Sequence, residues 1–122
     1  MGSVERFRWT LDSTAVSWVD GGRPIELAFP EPPQSAVPLK DGSGVAIVEF
    51  TRQIGQASAV IHDADGNERC RLQTELDHRP LWYFQMYYVE NELTAFVGWR
   101  SGDWAVVVDE QSGSFVRWYE TR

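Results

Sequence analysis

Apolar and polar residues alternate along several short stretches of this chain, which is the pattern of strands with one face in the core. In the predicted strand Val4–Leu11 one face carries Phe7, Trp9 and Leu11, and Leu93–Trp99 alternates in the same way. Val45–Thr51 is apolar on both faces except at Glu49, as expected of a central strand covered on two sides. With no stretch that favours a helix, the pattern predicts an all-β, antiparallel domain of about ten strands.

Three segments of the chain share one hairpin pattern. Each begins Ala-Val, runs through apolar residues to Asp, turns through Gly and leaves on an alternating strand. The aspartates follow one another after 43 residues (Asp20 to Asp63) and 46 residues (Asp63 to Asp109). Asp accepts hydrogen bonds from turn amides, and Gly supplies the left-handed backbone that tight turns need. We therefore predict a single domain, 1–122, with repeat units at about 4–29, 44–73 and 82–120.

A proline-rich segment separates the first two units. Four of the nine residues from Pro30 to Pro38 are proline, and proline has no N–H to give to a sheet. We therefore expect 30–40 to be an extended connector that does not pair within a sheet.

The third hairpin, Val106-Val107-Val108-Asp109 followed by Gly113 and Trp118, resembles a β-propeller blade, as does the spacing of the units. The Gly-His and Trp-Asp dipeptides of the best-known propeller repeat are absent, and three units are too few to close a ring. Two arrangements follow. The favoured one is an antiparallel meander sandwich or barrel, and the alternative is a propeller completed by two chains.

Charge and cysteine content limit the range of cellular compartments and of partners that we expect for this protein. The net charge of −7 and pI near 4.7 disfavour nucleic acid and favour a partner with a basic surface. Cys70 is the one cysteine, so no disulfide can form within the chain, and a reducing compartment is expected. The first residues lack the pattern of a signal peptide, and no apolar stretch is long enough for a membrane span. We expect a cytoplasmic protein, and the predominance of Arg over Lys is typical of a GC-rich bacterial genome.

The candidate metal-binding segments match the ligand spacing of known metal sites poorly. Asp63–Glu68 begins like a calcium loop, but its Gly is at position 4 instead of 6, and position 12 is Thr74. The two histidines, His62 and His78, do not combine with Cys70 in a zinc-binding spacing. We predict no metal site and no cofactor.

Catalytic motifs are equally weak. Ser101-Gly102-Asp103 is predicted to be a hairpin turn and lacks the G-x-S-x-G frame of a nucleophile elbow. No pair of carboxylates is distinguished from the rest as an acid–base pair. We predict no catalytic residue and expect that the protein is not an enzyme.

The remaining candidate is the aromatic stretch Trp82–Val89. One of its faces carries Tyr83, Gln85 and Tyr87, and tyrosine gives both contact area and a hydrogen bond. Acidic residues lie in or near the turns that follow. The alternative is an aromatic ladder that only stabilises the sheet. The predicted partner-binding residues are Trp82, Tyr83, Gln85, Tyr87, Glu90, Glu92 and Asp103.

These observations favour a non-enzymatic binding protein that acts by protein–protein interaction. Its general character resembles that of bacterial immunity proteins, which are small, acidic and cofactor-free and occlude a basic toxin. A second hypothesis is a carbohydrate or small-ligand binding protein that forms an oligomeric β-propeller, and a third is an accessory domain. Homo-oligomerisation stays open in all three.

Overall fold

A computed structural model describes residues 2–50 and 58–121, and this part of the chain is all-β, with 59% strand and no helix. Short alternating stretches rich in Val, Trp, Tyr and Phe form the strands, as their preference for a pleated surface predicts. The strands are β1 (Glu5–Arg8), β2 (Ala15–Asp20), β3 (Arg23–Ala28), β4 (Ser35–Pro38), β5 (Gly44–Val48), β6 (Ala59–Asp63), β7 (Glu68–Arg71), β8 (Glu75–Leu76), β9 (Arg79–Pro80), β10 (Trp82–Val89), β11 (Glu92–Trp99), β12 (Gly102–Val108) and β13 (Phe115–Glu120).

The strands form three main antiparallel sheets in which neighbours follow chain order. The first sheet is β1-β2-β3, the second β4-β5-β6-β7 and the third β10-β11-β12-β13, while β8 and β9 form a separate two-stranded ribbon. No sheet in the described ranges closes into a barrel, so the barrel form of the sequence prediction is wrong.

The second sheet packs against both of the others. Val45 and Ile47 of β5 join a hydrophobic cluster with residues of the first sheet, including Trp18. Ala46 and Val48 point to the opposite side and join a cluster with residues of the third sheet. The expected two-sided burial is therefore confirmed for the whole of β5, whereas Thr51, the last residue of the predicted strand, lies outside the described residues.

The expectation that 30–40 cannot pair within a sheet is wrong. Ser35–Pro38 form β4, which pairs with β5 so that Ser35 faces Val48 and Pro38 faces Val45. The pairing is possible because β4 is the edge strand of its sheet. Its only proline is its last residue, where an N–H would point away from β5, so no hydrogen bond between the two strands is lost. The second sheet therefore begins at Ser35 and not at residue 44.

The N-terminal strand is shorter than its alternation predicts. β1 ends at Arg8, its pairing with β2 is irregular, and Arg6 has a positive φ of 54°. A turn closed by the bond from Ser13 N to Thr10 O follows. Leu11 is consequently 71% exposed, whereas Phe7 and Trp9 pack against the core as expected.

The three aspartates at equivalent sequence positions have different roles. Asp109 accepts hydrogen bonds from Ser112 N and Ser112 Oγ, at 3.1 and 2.6 Å, and these bonds lower the pKa of its carboxyl. Asp63 accepts from Arg69 Nε at 2.6 Å, and Asp20 accepts from Ser3 N at 2.9 Å. Only Asp109 caps its own turn with its side chain as the sequence predicts.

Two tryptophan side chains donate hydrogen bonds to backbone carbonyl groups outside the three main sheets. Trp18 Nε1 donates to Ala64 O at 2.6 Å and thereby ties the first sheet to the β6–β7 turn. Trp99 Nε1 donates to Leu76 O at 2.9 Å, which holds the β8–β9 ribbon on the third sheet. In each case an apolar ring fills the core while its polar atom satisfies a loop acceptor.

His62 of β6 is an unusual polar group in this core. Neither of its ring nitrogens has a hydrogen-bond partner in the described part of the chain. Burial lowers the pKa of His62 below its usual value of 6.5, outweighing the opposite influence of the nearby Gly66 backbone and of Glu68 and Asp63. The folded protein therefore holds this imidazole neutral.

We expect His62 to make the fold sensitive to mild acid. At pH 7.5 the ring is neutral in both states, but below pH 6.5 the unfolded chain takes up a proton that the folded state resists. The free energy of unfolding should therefore fall as the pH drops from 7.5 to 5.5, and less so in His62→Leu. Urea denaturation of both proteins at the two pH values measures the difference. An equal loss in both proteins would contradict this role of His62.

Candidate functional site

The side of the third sheet that faces away from the second sheet carries a group of exposed aromatic residues. We call this side the outer face, defined by Phe84, Gln85, Tyr87, Phe96 and Tyr119. Gln85, Phe96, Ala105 and Tyr119 lie in one row across the four strands. Tyr87, which is 44% exposed, stacks on Phe96 with ring centroids 4.7 Å apart and planes 20° apart. The outer face is thus an aromatic surface on regular strands.

Charged residues border this surface. Arg117 Nη2 donates to Glu92 Oε1, so these two charges on the outer face offset each other. At the other end, Thr121 donates to Asp103 O through both its N–H and its hydroxyl, each at 2.9 Å. Glu90 lies exposed in the β10–β11 turn with a positive φ of 49°. The border is mixed in charge, with two acidic side chains besides the Glu92–Arg117 pair.

Two grooves adjoin the outer face and share Phe84 and Asp103. The first, of ≈ 470 Å³, lies beside Tyr87 and Phe96, and we call it the Phe96 groove. The second, of ≈ 570 Å³, lies beside Trp82, and we call it the Trp82 groove. Its lining combines the aromatic residues Trp82, Phe84 and Trp99 with charged side chains at Arg79, Arg100 and Asp103.

Gly98 shapes the Trp82 groove. It lies directly opposite Trp82 in the β10–β11 ladder. A Cβ at this position would lie 3.3 Å from the ring of Phe84 and 3.7 Å from Trp82 Cβ. The missing side chain therefore lets both aromatic residues lie over β11. On the neighbouring turn, the Arg100 guanidinium lies 5.1 Å from the centre of the Trp99 ring, within the range of a cation–π contact.

Six of the seven predicted partner-binding residues lie on or near this surface. Gln85 and Tyr87 belong to the outer face, and Trp82 and Asp103 line the grooves. Glu92 pairs with Arg117, and Glu90 is in the adjacent turn.

Tyr83 is the exception, and its placement corrects the predicted alternation. The register of β10 shifts between Tyr83 and Gln85, which turns Tyr83 into the core, where it is 1% exposed. Its hydroxyl donates to Gln73 O at 2.7 Å, and burial raises the pKa of the phenol. A bulge of this kind changes which residues share a face, and alternation alone does not reveal it.

The sequence analysis did not select Phe84, Phe96 or Tyr119. The alternation of Leu93–Trp99 did place Phe96 opposite the core-facing residues, so a signal for one of them was present. The bulge exposes Phe84, and the pairing of β12 with β13 brings Tyr119 beside Ala105. Neither effect has a signature in the local sequence.

The turns at one end of the sheets surround a cavity of ≈ 920 Å³ that is lined largely by charged residues. Arg69, whose side chain is 12% exposed, organises this end. Its guanidinium binds Asp63 Oδ1 at 2.6 Å, Ser43 O at 2.9 Å and Glu110 O at 3.1 Å. The turns after β4, β6 and β12 are therefore tied to one side chain, which gives the polar residues here a structural role.

Tyr88 reinforces the same end. Its hydroxyl donates to Glu110 Oε2 at 3.0 Å and accepts from Lys40 N at 2.9 Å. Burial, with a further contribution from Glu110, raises the pKa of Tyr88 to about 12. The phenol therefore keeps its proton at neutral pH and remains a donor.

Metal-ligating residues do not converge in the described ranges 2–50 and 58–121. No group of three or more His, Cys, Asp or Glu side chains there could hold a metal ion. The carboxyl of Asp41 has a pKa lowered by hydrogen bonds from Ser43, so it serves its own turn.

Comparison with models of known protein families gives no match, and neither does comparison with curated proteins or with solved structures. A helix long and apolar enough to cross a membrane is not found among the residues that the structure describes.

We expect Arg69→Met to lower the free energy of unfolding by about 2–3 kcal/mol, because it removes charge-assisted hydrogen bonds and leaves their acceptors unsatisfied. The matched control is Arg23→Met, since Arg23 is exposed and only approaches Asp20 at 4.0 Å. Its effect should stay within about 0.5 kcal/mol. Urea denaturation measures both, and equal effects would show that Arg69 does not organise the turns.

Proposed function

We propose that this protein is a non-enzymatic binding protein and that it recognises another protein through the outer face of the third sheet. The observation that carries the proposal is the stack of Tyr87 on Phe96, together with the exposed rings of Phe84 and Tyr119 on the same face. Contiguous exposed aromatic surface with a polar border is characteristic of interaction sites.

The rigidity of this surface supports the proposal. Its residues lie on paired strands, and the Tyr87 ring is already held against Phe96. Tyrosine and phenylalanine have few rotatable bonds, so little side-chain entropy is lost when a partner covers them. A surface arranged in this way in the free protein favours tight binding.

The charge of the protein favours a basic partner. The net charge of −7 would attract a positively charged protein from a distance, and Glu90 and Asp103 lie near the aromatic surface. Because Arg117 offsets Glu92, the contact itself would be mainly aromatic, with acidic residues at its border. In its most concrete form, the protein is a bacterial immunity protein that covers the basic active site of a toxin.

The Trp82 groove favours a second candidate function, the binding of a carbohydrate. A pyranose ring could stack on Trp82 while Asp103, Arg79 and Arg100 bind its hydroxyl groups. In this form the three sheets act as repeated, propeller-blade-like units, and a second chain would complete the ring. The chain-order arrangement of the strands in each sheet is compatible with such units.

The test compares Tyr87→Arg with Tyr87→Glu and with the matched control Leu11→Arg, in which an exposed apolar residue far from the outer face gains the same charge. Each protein is immobilised and used to capture partners from a bacterial lysate. We expect one protein to bind the wild type and Leu11→Arg equally. Binding to Tyr87→Arg should fall at least about tenfold, and further than to Tyr87→Glu, because only arginine repels a basic partner.

Three results would contradict the protein-binding function: no protein is captured, all variants capture it equally, or Tyr87→Glu binds no better than Tyr87→Arg. The variant Trp82→Ala distinguishes carbohydrate binding, the second candidate function, from protein binding. If capture is lost in Trp82→Ala but not in Tyr87→Arg, and a free saccharide competes, the Trp82 groove is the site.

A further inference from the structure

β13 is an edge strand with an exposed, mainly apolar sequence. It pairs with β12 on one side, and no strand in the described ranges pairs with its other side. Its six residues include Phe115, Val116, Trp118 and Tyr119, and Val116 and Trp118 are 57% and 41% exposed. An exposed edge of this kind is a template for another strand.

The other edges of the main sheets carry features that oppose strand addition. β3 contains Pro24, and β7 carries the ion pair between Arg71 and Glu68 at 3.0 Å. The free edge of β10 is covered by Gln34, whose Nε2 donates to Tyr83 O and Phe84 O at 2.9 and 2.8 Å. β1 and β4 have only four residues each. β13 has neither proline nor lysine, and its Arg117 pairs inward with Glu92 of β11, so β13 is the least protected of these edges.

The ladder shows which backbone groups of β13 point outward. Thr121 N donates to Asp103 O, so Thr121 directs its backbone groups toward β12. Because this direction alternates along an antiparallel strand, Tyr119 and Arg117 do the same, whereas Trp118 and Glu120 direct theirs outward. Val116 is the extra residue at the register shift between β12 and β13. The outward N–H and C=O groups of Trp118 therefore lie near the middle of the open edge.

We propose that β13 pairs with β13 of a second copy of this chain, antiparallel and centred on Trp118. The outward groups of Trp118 can oppose those of Trp118 in the second copy, or those of Glu120 if the pairing is centred on Tyr119. The Tyr119-centred register places the charged Glu120 opposite Trp118 twice and lacks the pair of tryptophans. Centring on Arg117 would oppose two like charges. Centring on Trp118 instead places the two Trp118 residues side by side, Arg117 opposite Tyr119 twice, and Val116 opposite Glu120 twice. Arginine beside tyrosine and tryptophan beside tryptophan are favourable cross-strand pairs.

This self-complementarity is the reason for choosing a second copy over an unrelated peptide. The Trp118 pair lies on the two-fold axis and the Arg117–Tyr119 pair occurs twice about it, as an isologous interface requires. The two surfaces meet at Tyr119. The proposed function rests on Tyr87 and Phe96, whereas the pairing rests on the edge of β13, so partner capture and dimer formation can each fail without the other.

A charge test examines the association and its register together. Sedimentation equilibrium should show a concentration-dependent dimer of the wild type and of the control Leu11→Glu. Val116→Glu would face Glu120 of the second copy, and its dissociation constant should rise at least about tenfold. Val116→Lys would face the same carboxylate and should dimerise at least about tenfold more tightly than Val116→Glu. A wild type that stays monomeric, or a dimer equally strong in both Val116 variants, would overturn the proposal.

A cross-linking test fixes the centre of the pairing. Hydrogen-bonded antiparallel partners have Cα atoms about 5.5 Å apart, within reach of a disulfide. Trp118→Cys should therefore form a disulfide-linked dimer under mild oxidation. Tyr119→Cys should not, because residue 119 of one copy lies two residue positions along the ladder from residue 119 of the other. The wild type, which has only the half-buried Cys70, is the control for background cross-linking. Cross-linking through Tyr119→Cys instead of Trp118→Cys would overturn the proposal.

Discussion

The burial of β5 on both faces is the constraint on which the rest of this structure depends. Val45 and Ile47 pack toward the first sheet, and Ala46 and Val48 pack toward the third, so one five-residue strand contributes to both hydrophobic clusters. A strand without a polar face can be stable only if apolar surface covers it on two sides. The second sheet is therefore in the middle, and the other two sheets are left with one face each that no described sheet covers.

Those two remaining faces differ in chemistry. On the first sheet, Arg6, Arg8 and Glu26 border a shallow depression beside Ser17, a surface suited to water. On the third sheet the corresponding surface carries Tyr87 stacked on Phe96. A stack of sheets needs polar side chains where it ends, and on the third sheet these lie mainly around an aromatic surface. This asymmetry supports the proposal that a partner binds the outer face.

Much of the architecture could be predicted because it depends on residues that are close together in the sequence. Trp82–Val89 is a strand with the predicted bounds, and the two-sided burial of β5 follows from its unbroken apolar sequence. The errors arise from pairing, which sequence patterns do not encode. Ser35–Pro38 forms a strand because an edge tolerates its proline, and Tyr83 enters the core because β10 bulges against β11. The candidate site was partly predicted for the same reason: Tyr87 follows the local alternation, whereas the neighbourhood of Tyr119 depends on the register between β12 and β13.

Hydrogen exchange of individual backbone amides, followed by NMR, tests the central position of β5 most directly. If the second sheet is stabilised from both sides, the amides of Ala46 and Ile47 should exchange only through global unfolding, with the full free energy of unfolding that denaturation gives. Amides that bond between the two outermost strands of the third sheet, such as that of Tyr119, should exchange through smaller openings. The two-sided arrangement would be contradicted if Ala46 and Ile47 exchanged as fast as Tyr119, because such exchange would mean that one covering sheet separates without the loss of the whole fold.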